Sequence, residues 1–358
     1  MKSNIKDNCK NGIYGLAIGD ALGVPVEFLD RDYLSKNPVY DFIEDKVNDL
    51  PKGTWSDDTS MTIATMDSIN DKHTINIEDM TLKFISWMDN DEYTATGECF
   101  DVGNTVFSAL TKYKNNPQTD TVYGENGPNS NGNGSLMRIL PISYFINKSD
   151  INDENEILRI VKDVSSITHS HEISILSCYI YVLFSNQLLN GATKEEAYRY
   201  IKSVDYSKFK LESISAFNRI LKSDIRDLKE AEIRTTGYTV DTLEAALWIF
   251  MNSKNYNESI LKAVNLGDDS DTVGAVVGGL LGIEYGIEAI NPEWIRQLQN
   301  IELLNSICEK FNQLDLKKEK TDKEDYRKQL EIKYSELSRQ ILKSINENKS
   351  QKKNKMSK

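Results

Sequence analysis

Cysteine is scarce in this chain of 358 residues: Cys9, Cys99, Cys178 and Cys308 stand far apart, with no Cys-x-x-Cys pair. That scatter implies neither a zinc site nor a disulfide framework. Positive charge is in deficit as well, with a formal net charge of −12 and a pI near 5.0. A general nucleic-acid binder needs a basic face, so nucleic acid is not an expected partner. The opening Met1-Lys2-Ser3-Asn4 leads into no apolar signal core. The longest apolar stretches, residues 173–189 and 273–283, are broken by polar residues or glycines, so no membrane span is expected. These absences make the cytoplasm the expected compartment. A series of alternating strand residues is also missing, which argues against a doubly wound sheet. Residues 39–47 are the one candidate for a short strand.

What is present is helical. A hydrophobic content of 39% with 27% charged residues fits a globular protein with a sizeable core. Leu82, Ile85 and Met88 recur at helical spacing, as do Leu243, Ala246, Leu247 and Phe250, then Ile260, Leu261 and Val264. Gly12, Gly15, Gly19 and Gly23 form one glycine series, and Ala275, Gly278, Gly279 and Gly282 form a small-residue series. Glycine inside a helix costs about 1 kcal/mol relative to Ala, so its repetition on one face predicts two central helices in close contact. Residues 114–135 form a long irregular stretch, and such loops are usually functional or disordered. It runs into Gly132-Asn133-Gly134-Ser135-Leu136-Met137-Arg138, where a helix is expected to begin; exposed amides there would suit phosphate, although an ordinary turn and cap reads equally well. Composition changes near Leu316. The chain therefore divides into a domain over 10–316 and a Lys-rich tail over 317–358, in which Tyr326, Leu330, Tyr334, Leu337, Ile341 and Ile345 keep amphipathic helical steps.

Two acidic clusters, Ser56-Asp57-Asp58-Thr59 and Asp268-Asp269-Ser270-Asp271-Thr272, lie more than two hundred residues apart and share one make-up. Alone, the first fits a helix cap better than a ligand set, because Ser caps helices and acids suit the first turn. The second crowds three carboxylates into four residues, which repel unless a cation, an arginine or open solvent relieves them. Carboxylates and hydroxyls are the oxygen ligands that hard divalent cations take. If folding joins the clusters, a pair of metals roughly 3.5–4 Å apart is the expected occupant.

Taken in order, these motifs resemble the ADP-ribosylglycohydrolase family. Gly15-Leu16-Ala17-Ile18-Gly19-Asp20-Ala21-Leu22-Gly23, with Glu27 following, is similar to that family's opening helix. Gly53-Thr54-Trp55-Ser56-Asp57-Asp58-Thr59 and Gly267-Asp268-Asp269-Ser270-Asp271-Thr272 resemble its two metal motifs. Phe100-Asp101-Val102-Gly103-Asn104-Thr105 resembles a segment of its arginine-specific, dinitrogenase-reductase-activating branch. The Gly132–Arg138 segment resembles its Gly-rich loop, and Thr168-His169 its short histidine motif. The six motifs span roughly residues 10–312, and their shared order makes the resemblance specific.

The resemblance implies an all-α, single-domain helical bundle with a cleft holding two Mg²⁺, or Mn²⁺, ions. By position the ligands would be Ser56, Asp57, Asp58, Asp269, Asp271 and Thr272, with Asp268 outside the ligand set. It implies cleavage of the bond between ADP-ribose and a modified protein side chain, arginine being favoured by the Asp101 segment and serine being the alternative. Asp101 would then be the acid/base and Glu27 would orient water or touch a metal; in the serine branch the glutamate has the larger part. Gly132, Asn133, Gly134 and Ser135 would offer amides to the pyrophosphate, and His169 would contact a phosphate or the distal ribose. Tyr238 would border the adenine side, or pack in the core. His73 and His171 receive no role.

Two other readings compete. Asp269-Ser270-Asp271-Thr272-Val273 fits the D-x-D-x-[TV] signature of haloacid-dehalogenase-type phosphatases, whose first aspartate is a nucleophile. That signature belongs after an early strand, and here it sits late among helices. The other reading is a non-catalytic relative: a crystallin-like structural protein, an ADP-ribose binder or a toxin-immunity protein. Lost ligands would mark such a protein, and every matched ligand position is filled.

Overall fold

The computed structural model describes residues 8–118 and 122–317. Among them lie sixteen α-helices, a few 3₁₀ turns and no strand, so the all-α expectation holds. The chain divides into two units, Met1–Leu314 and Asp315–Lys358. The amphipathic steps expected from Tyr326 to Ile345 lie outside the described residues.

Two helices that are apolar on nearly every side form the centre. Cys9–Gly23 buries all its residues except Lys10, and Ser270–Tyr285 buries its whole length up to Ile283. They run antiparallel at backbone contact. A Cβ placed on Gly15 would lie 2.3 Å from the Gly278 carbonyl oxygen, and one on Gly19 would lie 2.1 Å from that of Gly274. Only hydrogen fits there, so both helices accept the glycine cost in exchange for close backbone packing. Gly274 is the partner that the Ala275 series overlooked. The antiparallel register decides the site, because it sets the end of the first helix, with Asp20 and Gly23, beside the start of the second, with Asp271.

Outer helices are amphipathic and turn one stripe inward. Glu154–Ser165 buries Ile157, Ile160, Val161 and Val164, and Ile301–Gln313 buries Leu304, Ile307, Cys308 and Phe311. Glu172–Leu189 is long and apolar enough to cross a membrane by composition, yet 83% of it is buried inside the fold. That is the burial of a core helix.

Two local expectations need correction, and one expected helix turns a different stripe inward from the one whose spacing marked it. Ile77–Asn90 is a helix, but its core stripe is Met80, Phe84 and Trp87, while Leu82 is half exposed. Residues 39–47 form no strand. Asp45 Oδ1 accepts the amides of Val47 (2.9 Å) and Asn48 (3.2 Å), folding the segment into a side-chain-capped turn that leaves only one bridge, to Leu50. The helix expected within 132–138 starts later, at Leu140, with Pro141 in its first turn. Before it the chain makes successive turns, with Met137 N–H on the Asn133 carbonyl at 3.0 Å.

Candidate active site

The two acidic clusters meet. Each sits at a helix start: Ser56 precedes Asp57–Lys72 and Asp269 precedes Ser270–Tyr285. Thr272 Oγ1 donates to Asp58 Oδ2 at 3.3 Å across 214 residues of sequence. Both helix dipoles aim their positive ends at the carboxylates. The capping reading of Ser56 also holds, since its hydroxyl accepts the Asp58 amide at 3.4 Å and donates to Asp58 Oδ2 at 3.2 Å.

Two sets of three carboxylates have oxygens within 4.8 Å of one another: Asp20, Asp58 and Asp271, and Glu27, Asp269 and Asp271. Asp271 belongs to both. Such clusters could hold metal ions, and the residues fit a hard cation. Asp58 Oδ1 is buried with no hydrogen-bond partner among the described residues, and burying an unpaired carboxylate is costly without a counter-charge. Burial first, then mutual repulsion, pushes Asp57, Asp58 and Asp271 well above the ordinary carboxylate range. The same causes push Glu27 up to about 9, with Asp101 and Asp269 its strongest repelling neighbours.

Asp20 was quoted in the opening motif but not expected in the site. Its Oδ1 accepts the Ser56 amide at 2.9 Å, while Oδ2 accepts the Thr59 amide at 3.0 Å and hydroxyl at 2.6 Å. Those three bonds organise the first acidic loop, so Asp20 serves that loop more than a cation. Burial outweighs them and raises its carboxyl to about 7. In the sequence it stands out only as the one acidic residue of the mostly apolar helix Cys9–Gly23.

Glu27 is tied to the second loop by the backbone that follows it. The Phe28 amide donates to the Asp268 carbonyl at 2.7 Å, and the Asp268 amide to the Leu29 carbonyl at 2.8 Å. Gly267 permits this approach: its φ is +77°, and a Cβ there would lie 2.6 Å from the Leu29 oxygen. Asp268 contributes backbone, and its side chain is exposed. Asp101 adopts a left-handed conformation, φ +57°. Although the residue is exposed, protein packed around the carboxyl raises its pKa, and repulsion from Asp269 adds to the rise.

The Gly-rich loop joins this centre through Asn133, whose Nδ2 donates to Asp269 Oδ2 at 2.8 Å and to Thr242 Oγ1 at 3.0 Å. Not all four expected amides are available, because the Asn133 N–H is bonded to the Gly237 carbonyl at 3.1 Å. Gly132 and Gly134 are half exposed; Ser135 is buried, its hydroxyl in a core network with Ser165 and Cys178. The ring of His169 packs under the loop, its Nε2 3.5 Å from where Cβ atoms on Gly132 and Gly134 would sit and its Cε1 2.9 Å from the latter. Tyr238 precedes the helix Thr239–Asn252 and pairs with Gly132. His171 caps Glu172–Leu189 through Nδ1, a structural task. A separate cavity of about 380 Å³, lined by Ile77, Thr81, Tyr113, Tyr123 and Ile167 among others, shares no residue with the acidic centre.

Comparison with known proteins agrees with this geometry. A sequence model described as ADP-ribosylglycohydrolase matches residues 1–322. The ADP-ribosylarginine hydrolase Tri1 of Serratia proteamaculans is 33% identical over 313 residues, covering 87% of this chain and 80% of that protein. The ADP-ribosyl-[dinitrogen reductase] glycohydrolase of Rhodospirillum rubrum is 26% identical, covering 82% and 91%. A solved structure, an ADP-ribosylglycohydrolase-related protein complex, superposes with a TM-score of 0.72 at 26% identity, over 87% of this chain and 99% of that one. With its helical core, its paired acidic loops and a family match across all of its described residues, this chain belongs to the ADP-ribosylglycohydrolase family.

Proposed function

We propose that the chain hydrolyses the bond between ADP-ribose and arginine side chains of proteins, using two divalent cations, Mg²⁺ or Mn²⁺. The observation that carries the reading is the convergence of both acidic loops on Asp271, the residue common to the two carboxylate sets. Ser56, Asp57, Asp58, Asp269, Asp271 and Thr272 would hold the cations, with Glu27 adjoining the Asp269 side. When bound, the cations supply Lewis-acid polarisation and orient the ribose hydroxyls. Similarity to the Serratia ADP-ribosylarginine hydrolase supports the arginine linkage.

In this reading Asp101 is the general acid. Burial and repulsion from Asp269 raise its pKa, which favours the protonated form that a general acid needs to pass a proton to the leaving guanidine nitrogen. Glu27 orients the water whose oxygen takes the anomeric carbon as the C–N bond breaks, and the proton that this water gives up replaces the one Asp101 donated. The half-exposed Gly132 and Gly134 amides, with His169 beneath them, receive the pyrophosphate side of ADP-ribose. Catalysis is assigned to residues 10–316 in the cytoplasm, so truncation after Leu316 should leave turnover of a small substrate intact; an inactive truncated chain that still folds would refute this.

The test is ADP-ribose release from matched arginine- and serine-ADP-ribosylated peptides, with Mg²⁺ and with chelator. Chelator-sensitive release from the arginine peptide is expected. Preferential release from serine would overturn the linkage, and none from either would overturn the reaction.

A further inference from the structure

Arg138 is fully buried, which is unusual for arginine, and two of its three guanidinium nitrogens, Nε and Nη1, have no hydrogen-bond partner among the described residues. The guanidinium lies 4.7 Å over the Phe84 ring, which returns part of the lost hydration. Buried donors left unpaired are costly and call for an explanation. Here the one bonded nitrogen supplies it. Nη2 donates to Thr168 Oγ1 at 2.6 Å, and that same oxygen lies 2.9 Å from His169 Nδ1.

The proton count along this line has one consistent solution. Arginine only donates, so Thr168 Oγ1 must accept from it. The hydroxyl's single proton is then free, and His169 Nδ1 is its acceptor. If Nδ1 instead carried a proton, the threonine oxygen would accept twice and its own hydrogen would have no acceptor among the described residues. Nδ1 is therefore bare, and the neutral ring holds its proton on Nε2, the nitrogen facing Gly132 and Gly134. Burial, then repulsion from Arg138, lowers the ring's pKa to about 3 and keeps it neutral.

We propose that Arg138, acting through Thr168, is a positioning residue that fixes His169 as a neutral Nε2–H donor to bound ADP-ribose at the Gly132–Gly134 loop. The proposal rests on the functional reading above for the identity of the ligand. It assigns Arg138 and Thr168 a task beyond filling the core: they select which ring nitrogen faces the Gly132–Gly134 loop.

The experiment is ¹⁵N NMR of histidine-labelled, full-length protein with Mg²⁺, titrated with ADP-ribose. The chain has only three histidines, and loss of one signal set in His169→Gln assigns the ring. Wild-type protein should show a bare Nδ1 and a protonated Nε2 from pH 5 to 8, with the Nε2 signal moving as ADP-ribose binds. Thr168→Val should shift His169 toward the Nδ1–H tautomer and weaken ADP-ribose roughly five- to tenfold, the equivalent of one hydrogen bond. Thr168→Ser should restore both, which a role confined to packing would not require. Arg138→Met should shift the tautomer in the same direction; if that chain does not fold, the threonine pair decides alone. A wild-type ring protonated on Nδ1, or a tautomer unchanged in Thr168→Val, overturns the relay. ADP-ribose that binds without moving the Nε2 signal overturns the donor role. Failure of wild-type protein to bind ADP-ribose at all would instead overturn the functional reading, while the tautomer still tests the relay.

Discussion

Cation binding to this centre should be coupled to proton release, by an amount that follows from the acidic cluster. Without a cation, Glu27 titrates at about 9, and Asp57, Asp58 and Asp271 are also held well above their ordinary range by burial and repulsion. A carboxyl of pKa 9 is about 99% protonated at pH 7, whereas a carboxylate that holds or adjoins a bound cation is ionised. Binding of Mg²⁺ at pH 7 should therefore release at least about one proton. Apparent affinity should tighten roughly tenfold per pH unit per proton released, about 1.4 kcal/mol each, up to pH 9. The sign for stability is opposite in the chelated protein. Its folded-state acids bind protons more tightly than the unfolded chain does, so their contribution is complete below about pH 4.5 and is lost as pH rises toward 9. Melting temperature with chelator should fall from pH 5 to 8, while the increment added by Mg²⁺ grows. Calorimetry in two buffers of different ionisation enthalpy counts the protons. A count of zero, with affinity flat between pH 6 and 8, would mean that the carboxyls are already ionised and that the crowding argument fails.

Removing a cluster member should separate function from folding. Asp57→Ala or Asp271→Ala should abolish cation binding and turnover with an unchanged helical circular-dichroism spectrum, and undiminished turnover would sink the two-metal assignment. Asp101→Asn should lower the rate constant by roughly 10²–10⁴ while ADP-ribose affinity stays within a few-fold; parallel losses would remove it as the acid. The helix contact is open to the same treatment, because a methyl on Gly278 would lie 2.2 Å from the Gly15 oxygen. Gly278→Ala should cost about 3 kcal/mol of stability or more, because the obstacle is backbone and not a side chain that can swing aside. Gly191→Ala, at φ +88° with nothing within 4 Å, should cost only the left-handed strain of about 1–2 kcal/mol. Thermal melts compare the two, and coincident melts would refute the close-approach account.

Much of the centre was legible because its parts are locally conspicuous. Glycines at helical intervals carry a cost that only close packing explains, and carboxylates crowded into four residues need relief. What escaped depends on partners distant in sequence. Asp20 matters through amides 36 and 39 residues away, and no pattern around it announces that. Asn133 was expected to offer its amide, which folding commits to Gly237, while its side chain reaches Asp269. In Ile77–Asn90, Leu82, Ile85 and Met88 have much the same spacing as Met80, Phe84 and Trp87. Periodicity identifies a helix there without saying which apolar stripe the core takes. Strand propensity at residues 39–47 lost to one aspartate side chain, Asp45, that captures two amides.

The central claim is that the two acidic loops form one centre through Asp271. Titration of the chelated protein with Mn²⁺, followed by electron paramagnetic resonance, tests it most directly. The account predicts two bound ions per chain with a spin-coupled spectrum, and loss of the coupling in Asp271→Asn. A single bound ion, or two that remain magnetically independent in the unaltered chain, would contradict it.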